Sequence, residues 1–257
     1  SDELRAVLFD LGETLLDSRG ITPDFSRDQA HKDFGLVYRY LQRLGKVLPS
    51  WEVTYGTLAG LLRERMEASN VPSRSVHIGR VMQEAFAELG VSVSNDELRQ
   101  CILLTYRYSD ASASLYPEVL PLIRRLRGQG LLVGLISNTI WPHWCQDATL
   151  HRLGVRDLLY PRLYSADLEY KKPHPSIFMH ALELLGVNPT SAVFVGDHLD
   201  PDIVGAQSVG MKAVWLDVPY REEADPHITP DGRITNLAEL PQVLAQIFSN
   251  TQKTRLI

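Results

Sequence analysis

Cysteine is scarce: only Cys101 and Cys145 occur in 257 residues. Two cysteines cannot build the dense disulfide framework of small secreted domains, so a reducing cytoplasmic location is expected. Long apolar runs are also missing. No stretch reaches the roughly 18 consecutive apolar residues that mark a membrane-spanning helix. The acidic start Ser1-Asp2-Glu3 lacks the basic region of a signal peptide. Neither sign of charge dominates: 26 Lys and Arg against 31 Asp and Glu leave a net charge of −5. That balance argues against a general nucleic-acid-binding surface, which needs a strongly basic face. The sequence carries no internal repeat and no low-complexity tract. What is present is 44% hydrophobic residues, in a chain long enough to bury a core without disulfides or a structural metal.

Three apolar runs share one design. Leu4-Arg5-Ala6-Val7-Leu8-Phe9 ends at Asp10, Leu131-Leu132-Val133-Gly134-Leu135-Ile136 ends at Ser137, and Ala192-Val193-Phe194-Val195-Gly196 ends at Asp197. A fourth, Lys212-Ala213-Val214-Trp215-Leu216, ends at Asp217. Near-continuous apolar runs of this length suit strands buried on both faces of a parallel sheet. Helical patterns over residues 117–127, 175–185 and 202–209 sit between the later runs, each stopped by glycine. The alternation predicts an α/β fold, a doubly wound parallel-sheet (Rossmann-like) core.

Residues 18–113 break the alternation. Helical patterns follow one another over 25–44, 51–68, 75–89 and 95–108, with Ser94 or Asn95 as a cap for the last. The expected organisation is one core domain, residues 1–17 and 114–257, interrupted by an all-helical cap domain, residues 18–113. Residues 219–231 read as a loop before a last helix over 237–248. Gly56 and Gly60 have a spacing that suggests close helix packing.

In open α/β sheets a ligand site lies beyond the carboxyl ends of the strands. Asp10, Ser137 and Asp197 all fall at such ends, so they should converge. Two carboxylates and a hydroxyl at one point suit a hard divalent cation and an oxyanion.

Four segments then resemble one family. Phe9-Asp10-Leu11-Gly12-Glu13-Thr14-Leu15 resembles the first motif of the haloacid dehalogenase superfamily, and Ile136-Ser137-Asn138-Thr139 the second. Lys172-Pro173-His174-Pro175-Ser176-Ile177-Phe178 is similar to the segment carrying the third, and residues 195–206, with Asp197 and Asp202, to the fourth. The helical insert is like the type-1 cap of that family. The resemblance implies a hydrolase, a phosphatase above all, with Asp10 as the nucleophile that forms an aspartyl-phosphate. It implies that Ser137 and Lys172 hold the transferring phosphoryl group, Lys172 rather than Lys171 because it directly precedes the proline. It places Asn138 and Thr14 beside the substrate. It assigns Mg²⁺ to Asp10, the carbonyl of Gly12, Asp197 and Asp202, an oxygen set that Mg²⁺ accepts. The expected partner is a small phosphorylated metabolite, with no nucleic acid and no membrane.

One residue departs from the pattern. The phosphatases of this family usually carry a second Asp two positions after the nucleophile, to protonate the leaving group and later activate water. This chain has Gly12 there. General acid–base catalysis contributes about 10²- to 10⁴-fold, so a slow phosphatase, or one suited to good leaving groups, is expected. Glu13 is the nearest other carboxylate, but consecutive residues point in different directions. A vestigial phospho-ligand binder and a carbon–halogen or carbon–phosphorus hydrolase are the other readings of Gly12. The acidic pair Asp197 and Asp202 opposes the dehalogenase reading, since dehalogenases of the family need no metal. His198, His143, Trp141, Trp144 and Tyr106 are open to both packing and substrate-facing roles.

Overall fold

The computed structural model describes residues 3–17, 27–71, 73–218 and 224–253. Strand β1 (Ala6–Phe9) is followed by the two-residue β2 (Leu16–Asp17) and then by four helices: α1 (Arg27–Arg43), α2 (Trp51–Ala68), α3 (Ile78–Glu88) and α4 (Asn95–Ser112). Strand β3 (Ser114–Leu115) pairs antiparallel with β2, so the chain leaves and re-enters the α/β part through one short ribbon. The rest runs α5 (Val119–Gly128), β4 (Leu132–Ser137), α6 (His143–Arg152), β5 (Arg162–Tyr164), α7 (Pro175–Leu185), β6 (Ala192–Gly196), α8 (Gly205–Ser208), β7 (Lys212–Leu216), β8 (Gly232–Ile234) and α9 (Leu240–Lys253).

Six strands form one sheet in the order β5-β4-β1-β6-β7-β8, every pair parallel. β1 sits inside the sheet, with all four of its residues buried, as its unbroken apolar run requires. Side chains alternate between the faces. Val7, Phe9, Val133, Leu135, Val193 and Val195 pack against α5 and α9 on one side. Ala6, Leu8, Ile136 and Phe194 pack against Ile177, Phe178 and Ala181 of α7 on the other. The three-layer Rossmann-like α/β core is therefore present. Helices α1–α4 have a separate core of Phe34, Val37, Leu41, Leu58, Met82, Phe86 and Ile102, which also takes in Trp141 and Cys145 from the α/β part.

Helix ends follow local chemistry. Ser94 caps α4 in a reciprocal capping box with Glu97. Gly186 ends α7 at φ +62°, a left-handed conformation that favours glycine. Four strands escape the sequence pattern. β2, β3, β5 and β8 have two or three residues each, too few to show a period. β8 follows the segment expected to be loop, of which 219–223 lie outside the described residues, as do 25–26 of the first expected helix. The expected helix over 202–209 begins earlier, in a π-helical turn over Leu199–Val204 that leads into α8. The glycine pair of α2 is not a packing seam: a Cβ at Gly56 or Gly60 would meet nothing within 4 Å.

Candidate active site

Asp10 directly follows β1, Ser137 ends β4 and Asp197 directly follows β6, three neighbouring strands of the sheet. Their side chains meet at the carboxyl edge, and the π-helical turn after β6 adds Asp202. Asp10, Asp197 and Asp202 are all buried, and one carboxylate oxygen of each lies within 4.8 Å of the others. Lys172 is 2% exposed and joins two of them. Its Nζ donates to Asp10 Oδ1 at 2.6 Å and to Asp202 Oδ1 at 2.7 Å. Burial disfavours the ammonium, yet the two carboxylates outweigh it and hold the Lys172 pKa above its ordinary value. Burial pushes the Asp10 carboxyl above its usual range, with Lys172 opposing and Asp202 adding to the shift.

Each group is held by neighbours. The Asn138 side chain clamps the Lys172 backbone: Lys172 N–H donates to Asn138 Oδ1 and Asn138 Nδ2 donates to the Lys172 carbonyl, both at 2.8 Å. Asp202 accepts the His198 N–H at 3.0 Å. It also lies against Gly196, where any Cβ would collide with its carboxylate. Trp215 Nε1 donates to the Asp197 carbonyl at 3.1 Å. Lys171 turns the other way, donating to Ser69 Oγ at 2.9 Å.

A cleft of about 350 Å³ opens over this cluster, lined by Asp10, Gly12, Ser137, Asn138, Lys172 and Asp202 together with Tyr106, Ser109, Thr139, Trp141, Gln146 and His198. One expectation changes here. Thr14 does not line the cleft: it is fully buried, and its hydroxyl donates to Asp197 Oδ1 at 3.2 Å. It therefore positions Asp197 rather than touching substrate. Asn138 does line the cleft, and its side-chain amide also clamps the Lys172 backbone, so it positions Lys172 as well. Glu13 sits at φ +59° in the tight turn after Asp10, is 4% exposed, and accepts from the Tyr116 hydroxyl at 3.1 Å. It is not among the lining residues, and the cleft gains no carboxylate from it. His143 is exposed and bonds Asp167. Tyr106, open in the sequence to packing or a substrate-facing role, lines the cleft; Ser109 and Gln146 carry no sequence signal because they reach it from helices whose docking no motif records. A Cβ at Gly12 would meet no described residue within 4 Å, so among the described residues the place of the second Asp is open.

The cluster suits a divalent cation. Three buried carboxylates face one ammonium, and buried anions without a counter-charge are costly. A hard cation with oxygen ligands offsets that excess.

Fold and cleft together define a class: a Rossmann-like α/β protein with a carboxylate–lysine centre at the carboxyl ends of its inner strands. The sequence description of the haloacid dehalogenase-like hydrolases matches residues 4–210. The chain belongs to that family and is a hydrolase. It is 28% identical over 260 residues to a glyceraldehyde 3-phosphate phosphatase of Methanopyrus kandleri, covering 95% of this chain and 98% of the relative. It is 30% identical over 250 residues to a phosphoserine phosphatase of Thermus thermophilus, covering 92% and 98%. Among solved structures it resembles a 2-haloacid dehalogenase from Pseudomonas syringae, with TM-score 0.65 and 28% identity over 95% of this chain and 99% of the other.

Proposed function

We propose that the protein is a magnesium-dependent phosphatase of small phosphorylated metabolites, working through an aspartyl-phosphate on Asp10. The observation that carries this reading is the buried Lys172 bridge between Asp10 and Asp202 beside Asp197. A lysine so placed holds the nucleophile's carboxylate in position and offsets the repulsion between it and an anionic phosphate. Asp10 attacks phosphorus. The bond from phosphorus to the ester oxygen breaks, and the leaving oxygen takes its proton from water, because residue 12 has no side chain to supply one. Water then attacks the same phosphorus, releasing inorganic phosphate and restoring the Asp10 carboxylate. Ser137 at the end of β4 holds the phosphoryl oxygens. Asp10, Asp197, Asp202 and the Gly12 carbonyl would hold Mg²⁺, which supplies charge neutralisation at the phosphoryl oxygens.

Helices α1–α4 act as the cap, residues 18–113, over a core of residues 1–17 and 114–257. Tyr106 and Ser109 are their contribution to the cleft wall. The two cysteines are free and buried, which fits a reducing cytoplasm. Phosphate release from a phosphometabolite panel, with and without Mg²⁺, tests the reading. Turnover that requires Mg²⁺ and vanishes in Asp10→Asn is expected; no release from any member would refute it. The likeness to a 2-haloacid dehalogenase, together with the missing acid at residue 12, favours a second reading, carbon–halogen hydrolysis. Chloride release from a 2-haloacid without Mg²⁺ would establish it.

A further inference from the structure

We propose that Gln146 reads a hydroxyl on the leaving half of the substrate, and that this half is small, hydroxylated and uncharged; the inference rests on the phosphatase reading above. The cleft is at the small end of ligand sites, which run about 300–1,000 Å³. Beyond the groups that handle phosphate, its described walls are neutral: Tyr106, Ser109, Thr139, Trp141 and Gln146. Lys172 is the one lysine or arginine among the described lining residues, and it is committed to Asp10 and Asp202. His198 Nε2 lies 3.9 Å from Asp197. A carboxylate on the leaving half would find, among the described lining residues, only an ammonium already shared by two carboxylates, which is unfavourable in a buried site.

Gln146 is the polar group built for the opposite case. It is 8% exposed, and both ends of its amide are held. Oε1 accepts from the Tyr106 hydroxyl at 3.2 Å, and Nε2 donates to Thr139 Oγ1 at 3.0 Å. The Tyr106 hydroxyl lies 2.8 Å from Thr149 Oγ1, which donates to Asp110 at 2.6 Å. The Tyr106 ring also packs edge-on against Trp141, with centroids 5.2 Å apart. The wall is therefore fixed before a ligand arrives. A primary amide has two N–H donors and two acceptor lone pairs. In either orientation of the amide, one of each remains unused. A hydroxyl, which both donates and accepts, satisfies that pair; a carboxylate, which only accepts, leaves the lone pair facing it.

The test measures kcat/KM for phosphate release by the full chain with Mg²⁺ on four compounds: para-nitrophenyl phosphate, glyceraldehyde 3-phosphate, phosphoserine and phosphoglycolate. Wild type is expected to favour glyceraldehyde 3-phosphate over the two carboxylated compounds by about tenfold or more. Gln146→Leu should lower that substrate by about tenfold, and the aryl phosphate, which has no hydroxyl to read, by less than about threefold. Tyr106→Phe keeps the ring against Trp141 and frees the amide, so it should show the same selective loss at smaller size. Preference for a carboxylated substrate, or an equal loss on all four compounds in Gln146→Leu, would overturn the inference and leave the phosphatase reading standing. Release from none, the aryl phosphate included, would overturn both.

Discussion

Position 12 carries only a hydrogen atom where an acid is usual, and that difference shapes the expected chemistry more than any other residue. Among the described residues nothing nearby replaces the acid, because Glu13 is turned toward Tyr116 by the left-handed turn it occupies. Lys172 is the other decisive residue. Removing one member of a buried charge cluster costs about 3–5 kcal/mol, since its partners stay buried and unpaired. Lys172→Met should therefore lose phosphate release and, without Mg²⁺, lose about that much stability in urea unfolding. Unchanged stability would show that the bridge is not a structural tie. Asp10, Ser137 and Asp197 were legible as the ends of apolar runs, whereas Lys172 and Asp202 were legible only through the resemblance to family motifs; the structure brings Asp10, Lys172, Asp197 and Asp202 together. Thr14 and Asn138 were legible as neighbours of the site, but not as positioning residues. A hydroxyl's or amide's partner is set by three-dimensional proximity, and Thr14 meets Asp197 across 183 positions of chain.

Among elements, the long ones were legible and the short ones were not. Helix α2 begins and ends where the helical pattern over 51–68 does, and α7 runs from Pro175 to the glycine that stops it. β5 and β8 have three residues each and owe their existence to the edges they extend, not to local preference. Helix α1 holds a titrating group. Asp33 is 4% exposed and accepts from Gln29 Nε2 at 2.8 Å, and burial raises its pKa from 3.8 to about 6. The unfolded chain loses this proton near pH 4, while the folded chain keeps it to about pH 6. Stability should fall as pH rises through that window, by at most about 3 kcal/mol. Asp33→Asn should remove the fall and be the more stable protein above pH 6. Parallel pH profiles of urea midpoints for the two proteins would contradict this.

On the scale of the whole molecule, the helical block and the α/β part share structure. Trp141 and Cys145 fill the core of the helical block although they follow β4. Ser75 N–H donates to the Glu169 carbonyl and Lys171 N–H to the Ser73 carbonyl, tying the loop before α3 to the segment that carries Lys172. Ile78 N–H donates to the Ile140 carbonyl at 2.9 Å. Heating should therefore give one cooperative transition, and two resolved calorimetric peaks would show that the blocks unfold independently. None of these ties could be read beforehand, since they join backbone groups far apart in sequence. The central claim is that Asp10 carries out phosphoryl transfer without an acid at residue 12. The most direct measurement is kcat/KM for an alkyl and an aryl phosphate, in wild type and in Gly12→Asp, for which the structure leaves room. The account predicts that wild type favours the aryl ester, and that the variant gains about 10²-fold on the alkyl ester and little on the aryl. No gain on the alkyl ester in a folded, Mg²⁺-supplied variant would contradict it.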